Sequence, residues 1–286
     1  MAQFLKFMVD SELHDVLETI NKDALRAFLV SRVVLKPKSI KRKMASLKAF
    51  FNFWEFEDKI SVSPFRKMRL TIKEEKKLPN VMTLSEISKI LKLAYRIKEQ
   101  HRGNNKYSYV TAIRDIVVIE LLFSTGARVS EITGLKTSNI NLNTGNIIIK
   151  GKGNKERLIQ ICNKEVLEIA KEYYFLNKEN IQKAGDFLLT NRFGNGISDQ
   201  SVRGIVKRIK EKAGINRRVT PHIFRHSFAT LLLENDVDIK YIQTLLGHSS
   251  ISTTQIYTHV NARKQRMILR TKHPREKLSM IILTPE

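Results

Sequence analysis

Residues 220–260 constrain the fold of this chain more than any other stretch, because they contain clear starts and ends of helices within a short span. Thr220 is suited to cap a helix, and Pro221 is suited to its first turn. An apolar stripe at helical spacing follows. A second helix is expected over about 238–246, where Gly247 provides a stop. The stretch therefore predicts short helices joined by tight turns.

Four reactive side chains of this stretch lie at the starts and ends of those helices. His222 and Arg225 share one face of the first helix, because they are three residues apart. His248 follows the glycine that ends the second helix, and Tyr257 lies in a third short helix that Ser252 is expected to cap. Two imidazoles, a guanidinium and a phenol are together suited to binding a phosphate group and attacking it.

The chain is strongly basic. It has 51 Lys and Arg residues against 28 Asp and Glu residues, which gives a net charge of +23 and an isoelectric point of about 10.1. This excess predicts a polyanionic partner, with nucleic acid as the first candidate and an anionic membrane surface as the second. No apolar run reaches the length of about eighteen residues that a membrane helix needs, so we expect no membrane span.

The length and the cysteine content narrow the class of protein further. A chain of 286 residues with 42% hydrophobic residues is long enough for two domains with real cores. Its single cysteine, Cys162, excludes an internal disulfide framework and suits a reducing compartment. The first residues include acids at positions too early for a secretory signal. We therefore expect a cytoplasmic protein.

A charged stretch divides the chain into two predicted domains. Residues 73–77 contain no apolar side chain, which is typical of a linker. The region before them shows apolar residues at helical spacing, so residues 1–77 are predicted to form a helical domain. Residues 78–286 form the second domain, which opens with a capping box made by Thr83 and Glu86.

The first domain carries a dense basic stretch. No acidic residue lies between Asp23 and Glu55. The alternative to a functional role is a solvated helix face, but contacts with phosphates explain the stretch better in a chain of this charge. The residues that we expect to bind DNA are Lys36, Lys38, Lys41, Arg42 and Lys43.

The second domain is predicted to be helical with one small sheet. Residues 112–123 are strongly apolar and predict a buried helix. Two strand-like runs, 147–149 and 158–161, flank a glycine-containing turn and predict a hairpin, with 139–142 as a candidate third strand. The predicted fold class of the whole chain is therefore mainly α with a small antiparallel β-sheet.

Three motifs occur in an order and at a spacing that one protein family shares. The first motif, at 125–132, contains an arginine box, and the second, at 150–157, places a lysine in a turn between strands. The third motif covers 222–257 and contains the two histidines, the arginine and the tyrosine described above. Together they resemble the tyrosine recombinases, and the resemblance covers nearly the whole chain. The chain is most similar to the Xer-type members of that family.

The resemblance implies how three of these side chains act. Tyr257 would attack the scissile phosphate and form a 3′-phosphotyrosyl link. Arg128 and Arg225 would bind the non-bridging oxygens, for which the planar guanidinium is well suited. Taken alone, Arg128 has the simpler alternative of a surface arginine that pairs with Glu131.

The resemblance also assigns the remaining members of the catalytic set. Lys152 would protonate the departing 5′-oxygen, with Lys150 and Lys155 on the same hairpin as alternatives. His222 would assist deprotonation of the tyrosine, and His248 would bind the phosphate. Because side chains supply all the charge stabilisation, the reaction needs no metal and no other cofactor.

The family further implies architecture and partners. Its members are two-domain clamps, in which a helical core-binding domain and a catalytic domain close around duplex DNA that carries a specific recombination site. They act as homotetramers on two DNA sites. Residues of about 261–286 would then dock on a neighbouring protomer, whereas the simpler alternative is a frayed tail. Resolution of chromosome dimers is the expected outcome, with integration of a mobile element as the alternative.

Two other classes of protein fit parts of the pattern. A non-catalytic DNA-binding protein would have the same charge, and a basic nuclease would depend on a metal. His222 and His226 have the spacing of metal ligands, but position 223 is isoleucine where the metalloprotease motif needs glutamate. The sequence therefore predicts no metal site.

Overall fold

The structure, a computed structural model of one chain, is mainly helical with one small sheet, which confirms the predicted fold class. It describes residues 2–11, 20–32, 34–66, 68, 72, 80–151, 156–247 and 266–278. The chain divides into two compact units, Met1–Leu78 and Pro79–Glu286. None of the helices in the described ranges is long and apolar enough to cross a membrane.

The first unit contains three described helices, which are α1 (Ala2–Asp10), α2 (Lys22–Val30) and α3 (Pro37–Phe56). The sequence pattern does not predict α1, although Phe4 and Met8 lie one turn apart and are both buried. Residues 12–19 of the predicted helical domain lie outside the described residues.

The core of the first unit is built around aromatic rings. Phe4 contacts Phe28 and Phe51 edge to face, with ring centroids 5.2 and 6.2 Å apart. Leu25 and Leu47 complete the centre of this core and are buried as well. Edge-to-face packing stabilises such clusters beyond the burial of area, so three short helices hold together here.

Before residue 266, the second unit contains eight described α-helices and one sheet. Its helices are α4 (Leu84–His101), α5 (Lys106–Thr125), α6 (Val129–Thr133), α7 (Lys164–Leu176), α8 (Lys178–Lys183), α9 (Asp199–Lys212), α10 (Pro221–Glu234) and α11 (Ile239–Leu246). The predicted capping box at the start of α4 is confirmed, since Thr83 and Glu86 satisfy each other's backbone N–H groups. Arg217 also binds the Glu86 carboxylate, with Nε 2.7 Å from Oε1.

Helix α5 is the centre of the second unit. Nearly every residue from Ala112 to Thr125 is buried, which confirms the buried helix predicted over 112–123. Helices α4, α7 and α10 pack against it. The helix ends at Gly126, whose φ of 58° lies in the left-handed region, so the chain turns sharply just before Arg128.

The sheet is antiparallel and has the order β1 (Ile140–Asn141), β2 (Asn146–Lys150) and β3 (Glu156–Gln160). Ile147 pairs with Ile159 and Lys150 pairs with Glu156 across β2 and β3. The side chains of Ile147 and Ile159 point into the core, whereas Ile148 on the opposite face is exposed. The predicted hairpin and its third strand are both confirmed.

Residues 266–278 pack against the second unit. Residues 266–272 are helical, and Pro274–Lys277 forms a turn of 3₁₀ helix. Leu269, His273 and Arg275 are buried. The simple alternative of a frayed tail is therefore wrong for this part of the chain.

Candidate active site

Arg128 lies at the start of α6, directly after the turn that ends α5. Its backbone N–H donates to Glu131 Oε2 at 2.7 Å, and its side-chain Nη1 donates to Glu131 Oε1 at 2.8 Å. The Arg128 side chain remains 38% exposed. Arg128 therefore does pair with Glu131, as the sequence suggests for the alternative to a catalytic role. Part of its guanidinium nevertheless remains accessible.

Arg225 projects from the first turns of α10 into the interior. Its Nη1 donates to the carbonyl of Gly126 at 2.9 Å, and its Nη2 donates to the carbonyl of Leu246 at 2.7 Å. Burial, together with the neighbouring Arg128 and Arg157, lowers the pKa of Arg225 to about 10. Two backbone carbonyls, one at the end of α5 and one at the end of α11, therefore fix the orientation of this guanidinium.

The start of α10 differs from expectation in one detail. Thr220 occupies the capping position, but its side chain makes no capping hydrogen bond, so the expected Thr220 cap is wrong. Pro221 fills the first helical position as predicted. Proline lacks an N–H, so it removes one of the four backbone donors at the helix start that have no partner within the helix.

Glu131 and Arg157 are parts of this site that the motif comparison does not single out. Arg157 Nη1 and Nη2 donate to Glu131 Oε1 and Oε2 at 3.0 and 2.8 Å. Burial opposes ionisation of Glu131, but the hydrogen bonds from Arg157 and from the Arg128 backbone prevail and lower its pKa to about 2. The carboxylate is therefore ionised over the whole physiological range.

The charges of this cluster are unbalanced. The guanidiniums of Arg128, Arg157 and Arg225 lie around the single carboxylate of Glu131, so positive charge is in excess. Arginine binds phosphate oxygens through paired N–H groups, and partial burial strengthens such contacts. The arrangement is suited to a phosphodiester, which would bring the missing negative charge.

The two histidines of α10 are exposed at its start. His222 lies one residue after Pro221, and His226 follows one turn later. Within the part of the chain that the structure describes, no three His, Cys, Asp or Glu side chains come together as potential ligands of a metal ion.

Three of the six predicted catalytic residues lie outside the described residues. These three are Lys152, His248 and Tyr257. Ser252, which was expected to cap the helix of the tyrosine, lies outside the described residues as well. Their described neighbours in the chain are Lys150, the last residue of β2, and Gly247, which ends α11.

The five basic residues predicted to bind DNA lie at the start of α3. Lys38, Lys41 and Arg42 are exposed on one face of that helix, and Lys36 is exposed just before it. Lys43 is half-buried and donates a hydrogen bond to Gln3 of α1. The four exposed side chains form a positive surface on the first unit.

Comparison with known proteins identifies the family. The model of the phage integrase family matches residues 80–264, a range that contains all six predicted catalytic positions. The chain belongs to the phage integrase family. A curated tyrosine recombinase of Agathobacter rectalis is 46% identical over 241 residues, which are 84% of this chain and 78% of that protein.

Other relatives of this phage-integrase family protein are Xer recombinases. The tyrosine recombinase XerD of Listeria innocua is 33% identical over 95% of this chain and 89% of its own length. The tyrosine recombinase XerC of Staphylococcus epidermidis is 35% identical over 97% of this chain and 89% of its own length. The chain is therefore an enzyme of site-specific recombination with Xer-type relatives, as the motifs predict.

Solved structures share the fold. The XerH recombinase in its pre-cleavage complex with difH substrate is 28% identical, with a TM-score of 0.70 over 90% of this chain and 73% of that chain. A λ integrase tetramer bound to a Holliday junction has a TM-score of 0.59 over 89% of this chain and 74% of that chain, at 19% identity. At that identity the second comparison supports the fold alone.

Proposed function

We propose that this chain cleaves and rejoins duplex DNA at a specific site through a 3′-phosphotyrosyl intermediate. The observation that carries the proposal is the cluster of Arg128 and Arg225, two guanidiniums fixed on either side of the turn at Gly126. Family membership supports it, and so does the net charge of +23. We expect the protein in the cytoplasm, where it would meet the proposed substrate, duplex DNA.

The proposed reaction exchanges one phosphoester bond for another. The Tyr257 oxygen attacks the scissile phosphorus, a bond forms between them, and the bond from phosphorus to the 5′-oxygen breaks. Arg128 and Arg225 bind the non-bridging oxygens as charge develops on them. Lys152 gives a proton to the departing 5′-oxygen. The phosphotyrosine keeps the bond energy, so rejoining needs no nucleotide cofactor.

The two histidines complete the proposed site. His222, exposed at the start of α10, assists removal of the proton from the tyrosine. His248, two residues beyond the Leu246 carbonyl that Arg225 binds, adds a further contact to the phosphate. All the stabilising charge then comes from side chains, and the proposal requires no metal.

The decisive test is Tyr257→Phe, which keeps the ring and removes the nucleophilic oxygen. We expect binding of duplex DNA to persist, whereas the protein–DNA adduct that resists denaturant should form with the unaltered chain only. An adduct formed by the Phe variant would show that the nucleophile is another residue. Loss of DNA cleavage in chelator would instead favour a metal-dependent nuclease, and no adduct with either chain would favour a non-catalytic DNA-binding protein.

The proposed biological outcome is resolution of chromosome dimers. The support is the similarity to XerD and XerC proteins along nearly the whole chain. Integration of a mobile element is the second candidate, because the matching family model is that of the phage integrases. A footprint on genomic DNA separates the two, since the preferred site should lie near the replication terminus in the first case and at the ends of an element in the second.

We propose that the protein assembles as a tetramer on two DNA sites, with residues of about 261–286 docking on a neighbouring protomer. The support is membership of the phage integrase family, because the resemblance to that family implies homotetramers. A chain truncated after Leu278 keeps residues 266–278, which pack within the second unit. It should bind one site normally and lose two-site complexes on a native gel. Normal two-site complexes would exclude this role for the segment.

A further inference from the structure

Arg157 on β3 connects three elements around the arginine cluster. Its two terminal nitrogens bind both oxygens of Glu131 on α6, and its Nε donates to the carbonyl of Leu245 on α11 at 2.8 Å. The Arg157 side chain is 11% exposed and the Glu131 side chain is 4% exposed. Because each of its three nitrogens donates to a protein acceptor and its side chain is largely buried, Arg157 is placed to position other side chains.

The contact with Glu131 limits how that carboxylate meets Arg128. Arg157 donates to both carboxylate oxygens of Glu131, whereas the side chain of Arg128 donates to Oε1 only, through Nη1. Without Arg157, one described contact, from the Arg128 backbone N–H to Oε2, would still hold the carboxylate against turning. A turn would allow a two-pronged pair with the Arg128 guanidinium, which is the preferred geometry of the two groups. That pair would occupy the N–H groups of Arg128 that the phosphate needs.

The contact with α11 fixes a second part of the site. Arg157 binds the carbonyl of Leu245 and Arg225 binds the carbonyl of Leu246, so two arginines hold the last turn of this helix. A Cβ at Gly247 would come within 3.1 Å of the Arg157 side chain, which shows how closely the helix end and the guanidinium approach. Gly247, which precedes His248 in the chain, directly follows this turn.

We propose that Arg157 is a positioning residue of the recombination reaction, which keeps Arg128 available to the scissile phosphate by holding Glu131. The inference rests on the proposed function, because it assigns Arg128 to the phosphate. It requires the fork of a guanidinium, since one positive charge alone cannot bind both oxygens of Glu131 and a carbonyl in this geometry.

The test compares Arg157→Gln and Arg157→Lys with the unaltered chain on a nicked duplex that carries the footprinted site. At saturating DNA we expect single-turnover cleavage to fall by about 100-fold in both variants, since misplacement of a catalytic group by about 1 Å has an effect of that size. The dissociation constant for DNA should stay within about twofold. Full activity of Arg157→Lys would show that only the charge matters and would overturn the proposal.

Arg217 supplies a matched control. It too binds both oxygens of a capping glutamate, with Nε 2.7 Å from Glu86 Oε1 and Nη2 2.5 Å from Oε2, and its Nη2 also donates to the Val81 carbonyl at 2.8 Å. Arg217→Gln should lower the melting temperature as Arg157→Gln does, and should cleave at the normal rate below melting. An equal loss of cleavage in both variants would show that Arg157 serves folding alone.

A second substrate tests the route through Arg128. Sulfur in place of the bridging 5′-oxygen is a better leaving group that needs no proton, so it bypasses the acid. Arg157→Gln should remain slow on it, because its defect concerns the non-bridging oxygens. Rescue by sulfur would instead mean that Arg157 acts through the proposed acid, Lys152.

If the unaltered chain forms no covalent adduct, the proposed function itself fails. If it does form the adduct and Arg157→Gln cleaves normally, only this inference fails.

Discussion

Arg275 and Glu120 form a two-pronged ion pair in the interior of the second unit. Arg275 Nε and Nη2 donate to the two carboxylate oxygens at 2.9 Å each, and neither side chain is exposed to solvent. Tyr95 donates a further hydrogen bond to the same carboxylate at 3.1 Å, and Glu165 accepts from Arg275 at 2.8 Å. The C-terminal residues are therefore tied to the middle of α5 by a fully hydrogen-bonded network.

Breaking this pair should destabilise the protein strongly. Arg275→Met leaves the Glu120 charge buried without its partner, so the free energy of unfolding in urea should fall by about 3 to 5 kcal/mol. The control is Arg203→Met, which removes an exposed partner of Asp199 and should cost less than about 1 kcal/mol. Adding Glu120→Gln to Arg275→Met should recover part of the loss. Equal losses of stability in Arg275→Met and Arg203→Met would contradict the prediction.

The stability of the protein should depend on pH through His273. Burial lowers the pKa of this ring to about 4, while its Nε2 lies 3.2 Å from the carbonyl of Ser124. The unfolded chain, with a pKa of about 6.5, therefore binds a proton that the folded chain does not. The free energy of unfolding should fall by about 3 kcal/mol as the pH drops from about 6.5 to about 4.

His273→Asn tests this pH dependence. Asparagine keeps an acceptor for the backbone N–H of Arg275, which the His273 ring binds at 2.9 Å, and it does not titrate. The fall in stability over the same pH range should therefore be smaller in the variant. Glu86 and Glu131, whose pKa values are lowered to about 2, lose their contributions at lower pH in both chains. Identical pH profiles above pH 4.5 would assign the effect to other groups.

Gly126 should tolerate no larger residue. Its φ is 58°, and an added Cβ would lie 2.5 Å from Phe228 Cδ1. Gly126→Ala combines a left-handed backbone with overpacking, so unfolding in urea should become easier by roughly 2 to 5 kcal/mol. Gly185→Ala is the matched control, because its φ is 72° and nothing lies within 4 Å of the added carbon. The control should cost only about 1 to 2 kcal/mol.

The exposed face of α3 should contribute to the salt dependence of DNA binding. Replacing Lys38, Lys41 and Arg42 by Ala should reduce the slope of log Kd against log salt by about 0.9 for each phosphate contact that is lost. Replacing three exposed lysines of the second unit, Lys178, Lys183 and Lys212, removes the same charge and should change the slope less. An unchanged slope in the first variant would place those three side chains in bulk solvent.

Local signals in the sequence predict much of this fold. Gly247 ends α11 in the left-handed conformation, Asp238 caps its start, and the Thr83–Glu86 box opens α4, as local chemistry requires. The hairpin follows in the same way from two short apolar runs, 147–149 and 158–161, on both sides of a glycine-containing stretch. Such features depend on neighbours within four or five residues, and a single sequence contains them in full.

The contacts that build the site are long-range, and the sequence alone does not contain them. Arg157 and Glu131 are 26 residues apart, and Arg275 and Glu120 are 155 residues apart. Nothing in the local pattern distinguishes these arginines from the many exposed basic residues of the chain. Family resemblance identifies Arg128 and Arg225, but it does not indicate which carboxylate and which carbonyls hold them.

The way in which Arg225 is held has a consequence for how this enzyme changes over evolutionary time. Its two described acceptors are carbonyl groups, at Gly126 and Leu246, and every amino acid supplies a carbonyl. Substitutions of the Leu246 side chain that preserve the path of α11 therefore leave the acceptor in place. The orientation of this side chain, which we propose to be catalytic, depends on the path of the backbone. The sequence at the end of α11 can therefore change while the orientation of the guanidinium persists.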